Sequence, residues 1–277
     1  MMMQKRIAVI NDVTGFGRCS VAVAQPIISA MKVQACVLPT AILSMHTGFE
    51  DFFLYDFTSY MKRYMDNWKE HGITFDGIST GFLGSVEQIQ LVEHFIHMFK
   101  EKDCQVIMDP VMGDYGRLYP SYTDAMCDEM KHLLPYADAL TPNLTEACRL
   151  LDIEYTSVKI TEEELEKIAR ALSERGPDKI VLTGLQIEEG KLANYIYERG
   201  RPSQMLVLDK IGEDRSGTGD VFSSIVSAAL IKGVSFSDAV QKAVDFINTS
   251  IAYTVQLDVP TRYGLCFEEH LAELARE

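Results

Sequence analysis

The feature that most constrains the fold is a repeated alternation of short β-rich apolar runs with segments of helical periodicity. Each run of this kind is four or five residues long, and the runs lie at residues 7–10, 34–38, 77–80, 105–108 and 179–182. Strands that alternate with helices pair in parallel, and their crossover helices cover both faces of the sheet. The sequence therefore predicts a three-layer α/β/α fold with a mostly parallel central sheet. Two later apolar runs, at residues 192–197 and 205–208, predict a hairpin.

The composition fits one such domain over residues 1–277, because 47% of the residues are hydrophobic and no linker-like stretch interrupts the chain. A formal net charge of -14 argues against nucleic acid or an anionic membrane as a partner, so an anionic ligand needs a local site. The 6 cysteines include no C-x-x-C pair, which indicates a reducing, cytoplasmic compartment. The apolar run near the start is too short for a signal peptide, and we expect a soluble protein.

Polar residues follow the predicted strands at the positions where each strand ends. Ligands of parallel sheets bind beyond the carboxyl ends of the strands, so these side chains should meet at one edge. Any one of them can be a plain turn or cap residue, but together they favour a ligand site. They are Asp12, Asp109, Thr141, Asn143, Glu146, Thr183 and the turn at residues 217–220.

The turn SGTGD at residues 216–220 runs directly into a long apolar helical pattern. Two glycines flanking a threonine leave backbone N–H groups unshielded at a helix N-terminus, which is a cradle for an anion. Asp220 then lies beside the anion, an arrangement that makes sense mainly if the carboxylate accepts a proton there. The alternative is a glycine turn in which Asp220 only caps the helix.

An anion cradle, a neighbouring carboxylate and a group of Asp, Asn and Glu side chains suit phosphoryl transfer from a magnesium nucleotide. Mg²⁺ prefers oxygen ligands and keeps several waters, so one or two carboxylates suffice to hold it. The sequence contains neither the G-x-x-x-x-G-K-[ST] motif nor the protein-kinase motifs. The phosphate-binding turn lies late in the chain instead.

Four motifs in order carry a resemblance to a known family. They are SMHTG at residues 44–48, DPVMGD at 109–114, TPNLTE at 141–146 and GTGD at 217–220. This set resembles the ribokinase-like superfamily and, within it, the pyridoxal (pyridoxine, pyridoxamine) kinases. The resemblance implies a ribokinase-like fold without a large early lid. It also implies a kinase that uses ATP and Mg²⁺ to phosphorylate the 5′-hydroxymethyl group of a B6 vitamer, and a homodimer.

The same resemblance implies roles for individual residues. Asp220 would be the base, and the backbone at Gly217 and Gly219 would stabilise charge on the transferring group. The nucleotide-contacting positions would be Thr141, Asn143, Glu146, Thr183 and Thr218. The metal-site positions would be Asp109, Asp114 and Glu146, and the substrate-contacting positions would be Asp12, Thr47 and Phe82. Residues 113–119 would form a flap that closes over the reactants. A carboxylate at Asp12, where many of these kinases have serine, would favour a cationic group such as that of pyridoxamine.

Three alternatives remain open from the sequence. A hydroxymethylpyrimidine kinase of thiamin synthesis belongs to the same superfamily, but those enzymes commonly have cysteine where this chain has Asp220. A sugar or nucleoside kinase usually inserts a strand-built lid early in the chain, for which there is no room here. A non-catalytic sensor of a vitamer or nucleotide could use the same scaffold but would not need Asp220.

Overall fold

The computed structural model of the chain describes residues 4–156 and 160–276. The strands are β1 (Arg6–Phe16), β2 (Gln34–Met45), β3 (Leu54–Asp56), β4 (Gly77–Thr80), β5 (Gln105–Met108), β6 (Gly113–Asp114), β7 (Arg117–Leu118), β8 (Ala139–Leu140), β9 (Lys179–Glu188), β10 (Lys191–Glu198) and β11 (Gln204–Asp209). The helices are α1 (Ser20–Ala30), α2 (Thr58–Glu70), α3 (Val86–Phe99), α4 (Asp124–Met130), α5 (Leu144–Leu151), α6 (Glu162–Ser173), α7 (Thr218–Ile231), α8 (Phe236–Gln256) and α9 (Leu271–Leu274). Short 3₁₀ turns follow α4 and precede α9.

A 9-stranded sheet forms the middle layer, in the order β11-β10-β9-β8-β5-β4-β1-β2-β3. The strands from β9 to β2 in this order pair in parallel. Only β3 at one edge and β10 near the other run antiparallel to their neighbours. These findings confirm the predicted mostly parallel sheet and the late hairpin of β10 and β11.

Alternating side chains of the central strands enter two separate apolar clusters. On β1, Ala8 and Ile10 pack on the side of α2 to α6, whereas Ile7 and Val9 pack against α1, α7 and α8. All four are at most 2% exposed, as expected for a strand that is covered on both faces. The three-layer prediction is thus confirmed, and the next inward-facing position on the α7 side of β1 is Asn11.

The first two strands are longer than the sequence predicted. The apolar run at residues 7–10 predicts a strand that ends near Asn11 and Asp12, and Gly15 and Gly17 predict a turn after it. In the structure β1 continues through Gly15 to Phe16. β2 runs on beside it to Met45, and the paired extension continues past the ends of β4 and β5. A short-range pattern could not show this, because the extension depends on pairing between segments about 30 residues apart.

Two further features of the structure concern the cysteines and the helices. The cysteines are unpaired, and all except Cys36 are buried, as predicted for free thiols in apolar surroundings. No helix in the described part of the chain combines the length and hydropathy of a membrane span.

Candidate active site

A cavity of about 380 Å³ opens at the carboxyl edge of the parallel strands. It lies beyond the carboxyl ends of β5 and β8 and beside β9, and parallel α/β sheets bind their ligands outside the carboxyl ends of the strands. Most of the predicted site residues line this cavity, although they come from distant parts of the chain. They are Phe82, Asp109, Asp114, Thr141, Asn143, Glu146, Thr183, Gly217, Thr218, Gly219 and Asp220.

The turn before α7 is built around Gly217. This glycine has a φ of 77°, in the left-handed region, and a Cβ there would overlap the carbonyl oxygen of Arg18. The helix begins at Thr218 without a side-chain cap. In the described part of the chain no acceptor is recorded for the N–H groups of Gly219 and Asp220. Gly219 is exposed, and a Cβ there would meet no atom within 4 Å, so a ligand could approach the backbone at this position.

Asp220 lies in the first turn of α7 and is partly exposed to the cavity. Burial, together with the charge of the nearby Asp12, raises the pKa of its carboxyl group to about 6. Hydrogen bonds from the Ser20 backbone and the Asn11 side chain act in the opposite direction. A carboxylate with this pKa is mainly ionised at neutral pH and still able to accept a proton, as a general base requires.

Glu146 and Asn143 form a reciprocal capping box at the start of α5. Asn143 Oδ1 accepts from Glu146 N at 3.0 Å, and Glu146 Oε2 accepts from Asn143 N at 2.9 Å. Asn143 is therefore the N-cap, and Pro142, which the sequence placed at the first helical position, lies one residue before it. Glu146 Oε1 also accepts from Met112 N at 3.1 Å, and this bond ties α5 to the segment after β5.

Several buried acids crowd the cavity, and it is unfavourable to ionise all of them together. Asp109 is 8% exposed and Glu146 is 4% exposed. Burial raises the pKa of the Asp109 carboxyl group well above its usual range, and the charges of Glu146 and Asp220 add to this effect. Burial likewise raises the pKa of Glu146 to about 7. A divalent cation would relieve this repulsion, so the donor set has the chemistry that Mg²⁺ prefers.

The geometry of the proposed metal residues is looser than a closed site. Among the described residues no group of three or more His, Cys, Asp and Glu side chains could hold a metal ion by itself. Asp114 is exposed on β6, and its carboxylate accepts from Tyr115 N at 2.8 Å. A cation here would complete its shell with water and phosphate oxygens, as Mg²⁺ commonly does.

The predicted flap is a small hairpin of β6 and β7. Its base is held by Asn143, whose Nδ2 donates to Gly113 O at 2.8 Å, and its turn by Gly116 N, which donates to Thr145 Oγ1 at 2.8 Å. At the tip, the Tyr115 hydroxyl donates to Asp214, a residue of the loop before α7. The hairpin therefore connects α5 with the loop before α7, and residues of the hairpin and of this loop line the cavity.

The other predicted nucleotide residues stand along the cavity wall. Thr141 is 4% exposed, and its hydroxyl has no partner in the described part of the chain, although it lines the cavity. Thr183 lies on β9, and its N–H donates to Pro142 O at 2.9 Å. The Thr218 hydroxyl donates to Arg215 O at 2.9 Å. A buried hydroxyl without a hydrogen-bond partner is costly. Of these three threonines, Thr141 is therefore the best candidate for contact with a ligand.

Of the three residues predicted to contact the substrate, only one lines the cavity. Phe82 lines the cavity, but Asp12 and Thr47 are outside its lining. Asp12 is 4% exposed, and its Oδ2 accepts from Thr14 Oγ1 at 2.6 Å. Thr47 is exposed in the turn after β2. Contact between these two residues and a substrate stays a prediction.

Sequence reasoning missed two parts of the site. Asn11 is 5% exposed, and its Nδ2 donates to Asp220 Oδ1 at 3.2 Å. Its only sequence signal was a polar residue in register with the inward-facing Ile7 and Val9. The second part is an apolar wall of α8, formed by Val244, Ile247 and Ile251. Apolar residues at this spacing are typical of any helix face that packs against the core, so no sequence signal indicated that this face lines a cavity.

Comparison with known proteins places this geometry in a family. The family model described as phosphomethylpyrimidine kinase matches residues 27–262. A pyridoxine kinase of Bacillus subtilis (strain 168) is 31% identical over 202 residues, which are 70% of this chain and 71% of that protein. A hydroxymethylpyrimidine/phosphomethylpyrimidine kinase of Staphylococcus aureus (strain Mu50 / ATCC 700699) is 30% identical over 190 residues, 65% of this chain and 64% of that protein.

A solved structure extends the similarity over nearly the whole chain. It is a protein of Bacteroides thetaiotaomicron VPI-5482, described as a candidate phosphomethylpyrimidine kinase and crystallised with pyridoxal. It is 38% identical, with a TM-score of 0.94 over 98% of this chain and 96% of that one. The chain thus belongs to the phosphomethylpyrimidine kinase family of the ribokinase-like superfamily and is an ATP-dependent small-molecule kinase for B6 or pyrimidine-type substrates.

Proposed function

We propose that this kinase phosphorylates the 5′-hydroxymethyl group of a B6 vitamer, such as pyridoxal, pyridoxine or pyridoxamine. The observation that carries the proposal is the carboxylate of Asp220 in the first turn of α7, beside uncapped backbone N–H groups. Hydroxymethylpyrimidine kinases commonly have cysteine at this position. The pyridoxal in the 38% identical structure and the pyridoxine kinase of Bacillus subtilis support the same substrate class.

The proposed reaction moves one phosphoryl group and one proton. The oxygen of the substrate hydroxyl forms a bond to the γ-phosphorus of ATP, and Asp220 accepts the proton of that hydroxyl. The bond between that phosphorus and the bridging oxygen breaks, and ADP leaves. The N–H groups of Gly219 and Asp220, in the uncapped first turn of α7, would stabilise the charge of the anion in transfer. The products are the 5′-phosphate, ADP and a protonated Asp220.

Other residues that line the cavity would bind the nucleotide, hold the metal ion and exclude water. The apolar surface of Leu208, Val244 and Ile247 suits a flat purine base, and the unpartnered Thr141 hydroxyl is available for a polar contact. Mg²⁺, when bound, would screen the phosphate charges, and Asp109 and Glu146 would hold it through water or directly. The hairpin tip at Tyr115, fastened to Asp214, would keep water away from the reacting groups.

A second candidate, phosphorylation of hydroxymethylpyrimidine or its monophosphate, is favoured by the family match and by the relatives in Staphylococcus aureus. Both rings carry a hydroxymethyl group on a carbon that is meta to a heteroaromatic nitrogen, so the same cradle and base could serve either. The non-catalytic sensor is disfavoured because it has no use for a proton acceptor at Asp220.

The test is incubation of the purified protein with Mg-ATP and each compound separately, with ADP release and phosphorylated product measured together. The panel is pyridoxal, pyridoxine, pyridoxamine, hydroxymethylpyrimidine and its monophosphate. We expect product from at least one B6 vitamer at a higher kcat/KM than from either pyrimidine. No product from any vitamer would overturn the proposal. The magnesium requirement and the homodimer, which the resemblance implies, and the cytoplasmic location, which the cysteine pattern indicates, stay predictions.

A further inference from the structure

Asn11 is a buried amide at an apolar position of the central strand. It follows Ile7 and Val9 on the face of β1 that packs against α1, α7 and α8, and it is 5% exposed. A buried primary amide is costly unless its donor and acceptor groups are both used. The pairing of β1 with β2 is also irregular here, since Asn11 pairs with Pro39 but Val13 pairs with Ile42. Such bulges re-aim side chains and are frequent beside active sites.

The amide of Asn11 joins three segments at the edge of the sheet. Its Nδ2 donates to Asp220 Oδ1 at 3.2 Å. Its Oδ1 accepts from Phe82 N at 2.9 Å and from Asp12 N at 2.9 Å, which uses both acceptor sites of the oxygen. The proposed base on α7 and the backbone of the cavity-lining Phe82 are therefore fixed by one side chain.

The loop after β4 is shaped to reach this amide. Gly81 N donates to Ile10 O at 2.9 Å, which brings the loop directly over the Asn11 side chain. A Cβ at Gly81 would overlap the Asn11 amide group, so a residue without a side chain is needed for the approach. The other side of the loop is fastened by Thr40, whose Oγ1 donates to Phe82 O at 2.9 Å.

We propose that Asn11 is a positioning residue that orients the Asp220 carboxylate toward the substrate hydroxyl and holds the Phe82 loop in register with it. The inference rests on the proposed function, in which Asp220 is the base. An N–H donor on one carboxylate oxygen limits rotation of the group and favours its ionised form. Loss of that donor should therefore affect proton transfer more than nucleotide binding.

The test variant is Asn11→Asp, which keeps the shape and one acceptor oxygen but replaces the donor with a second carboxylate. We expect kcat to fall on the order of 10- to 100-fold with little change in the KM for ATP. The acid limb of kcat/KM should move to higher pH by on the order of one unit, because a like charge disfavours ionisation of the base. The other groups that face Asp220 are unchanged in the variant: Asp12, Cys19, Asp109, Tyr119 and the backbone N–H of Ser20.

Thr40→Val is the matched control, because it loosens the Phe82 loop without removing any bond to Asp220. It should change the KM for the acceptor and leave the acid limb in place. Asn11→Ser, which is too short to reach Asp220, replaces Asn11→Asp if the latter does not fold, and it should lower kcat in the same direction. A wild-type enzyme without product for any vitamer defeats the proposed function. An active wild type, with kcat and acid limb unchanged in the Asn11 variants, defeats the inference alone.

Discussion

The two ends of the cavity are built in different ways. At the phosphate end, one short segment supplies the turn, the helix N-terminus and the acid, and its geometry follows from a glycine with a φ of 77°. At the end proposed for the ring, Phe82 follows β4 and lines the cavity, whereas Asn11 and Asp12 lie within β1 and outside the lining. Hydrogen bonds across the sheet edge join these three residues. The phosphate end is therefore a local motif, whereas the ring end is a product of tertiary structure.

The largest effect should come from removing the acid at the phosphate end. Asp220→Asn keeps the shape of the side chain but cannot accept the hydroxyl proton. We expect kcat to fall on the order of 10²- to 10⁴-fold while nucleotide affinity, measured by calorimetry, stays within a few-fold. A variant that turns over at nearly the wild-type rate would show that Asp220 is not the base and that the phosphate end acts by its backbone alone.

The second largest effect on activity should come from changing the backbone of the turn before α7. Gly217→Ala combines an unfavourable left-handed conformation with an overlap against Arg18 O, and we expect loss of both thermal stability and activity. Gly233→Ala is a matched control at the other end of α7, because its φ is 85° but a Cβ there meets no atom within 4 Å. The control should cost only about 1–2 kcal/mol of stability from the conformation. Equal melting temperatures for the two variants would mean that contact with Arg18 does not shape the turn.

A smaller effect, on the pH dependence of the melting temperature, should distinguish acids at the two edges of the sheet. The carboxyl group of Asp109 has a raised pKa because of burial, so it stabilises the fold when protonated, and this stabilisation is lost as pH rises through the raised pKa. Asp109→Asn should then raise the melting temperature of the ligand-free protein by a few degrees at pH 8 and much less at pH 5. Measurement by differential scanning calorimetry at the two pH values checks the sign.

Asp76, before β4 at the opposite edge, is the matched control for that experiment. It accepts from Lys5 Nζ and Arg6 N, each at 2.8 Å, and its pKa is lowered despite partial burial. Its contribution is present above the unfolded pKa and lost as pH falls through the lowered folded value. Asp76→Asn should therefore lower the melting temperature at pH 8. A higher melting temperature at pH 8 in both variants would show that acids at the two edges of the sheet do not differ in their effect on stability.

The smallest effect is expected at the ring end. Asp12→Asn changes a carboxylate that already accepts from Thr14 and lies outside the cavity lining. We expect the ratio of kcat/KM for pyridoxamine and pyridoxal to change by less than about three-fold, a difference worth well under 1 kcal/mol. A fall of ten-fold or more in that ratio would show that Asp12 contacts the cationic aminomethyl group directly, as the sequence suggested.

The same contrast explains what the sequence could predict. Short buried strands such as β4 and β5 agree with the predicted runs at residues 77–80 and 105–108, because unbroken apolar runs and their flanking turn residues are local signals. The acidic residues at strand ends could likewise be placed at one edge, since parallel topology brings those ends together. The extension of β1 could not be predicted, because it depends on pairing with β2. Nor could the role of Asn11, whose partners lie 71 and 209 residues away.

The most direct test of the central claim is one competition reaction. Equal concentrations of pyridoxal and hydroxymethylpyrimidine are incubated with Mg-ATP and the enzyme, with Asp220→Asn as the blank, and both phosphorylated products are followed by mass spectrometry. The account predicts that pyridoxal 5′-phosphate forms first and that the blank forms on the order of 10²-fold less. Preferential formation of the pyrimidine phosphate, or equal product in the blank, would contradict it.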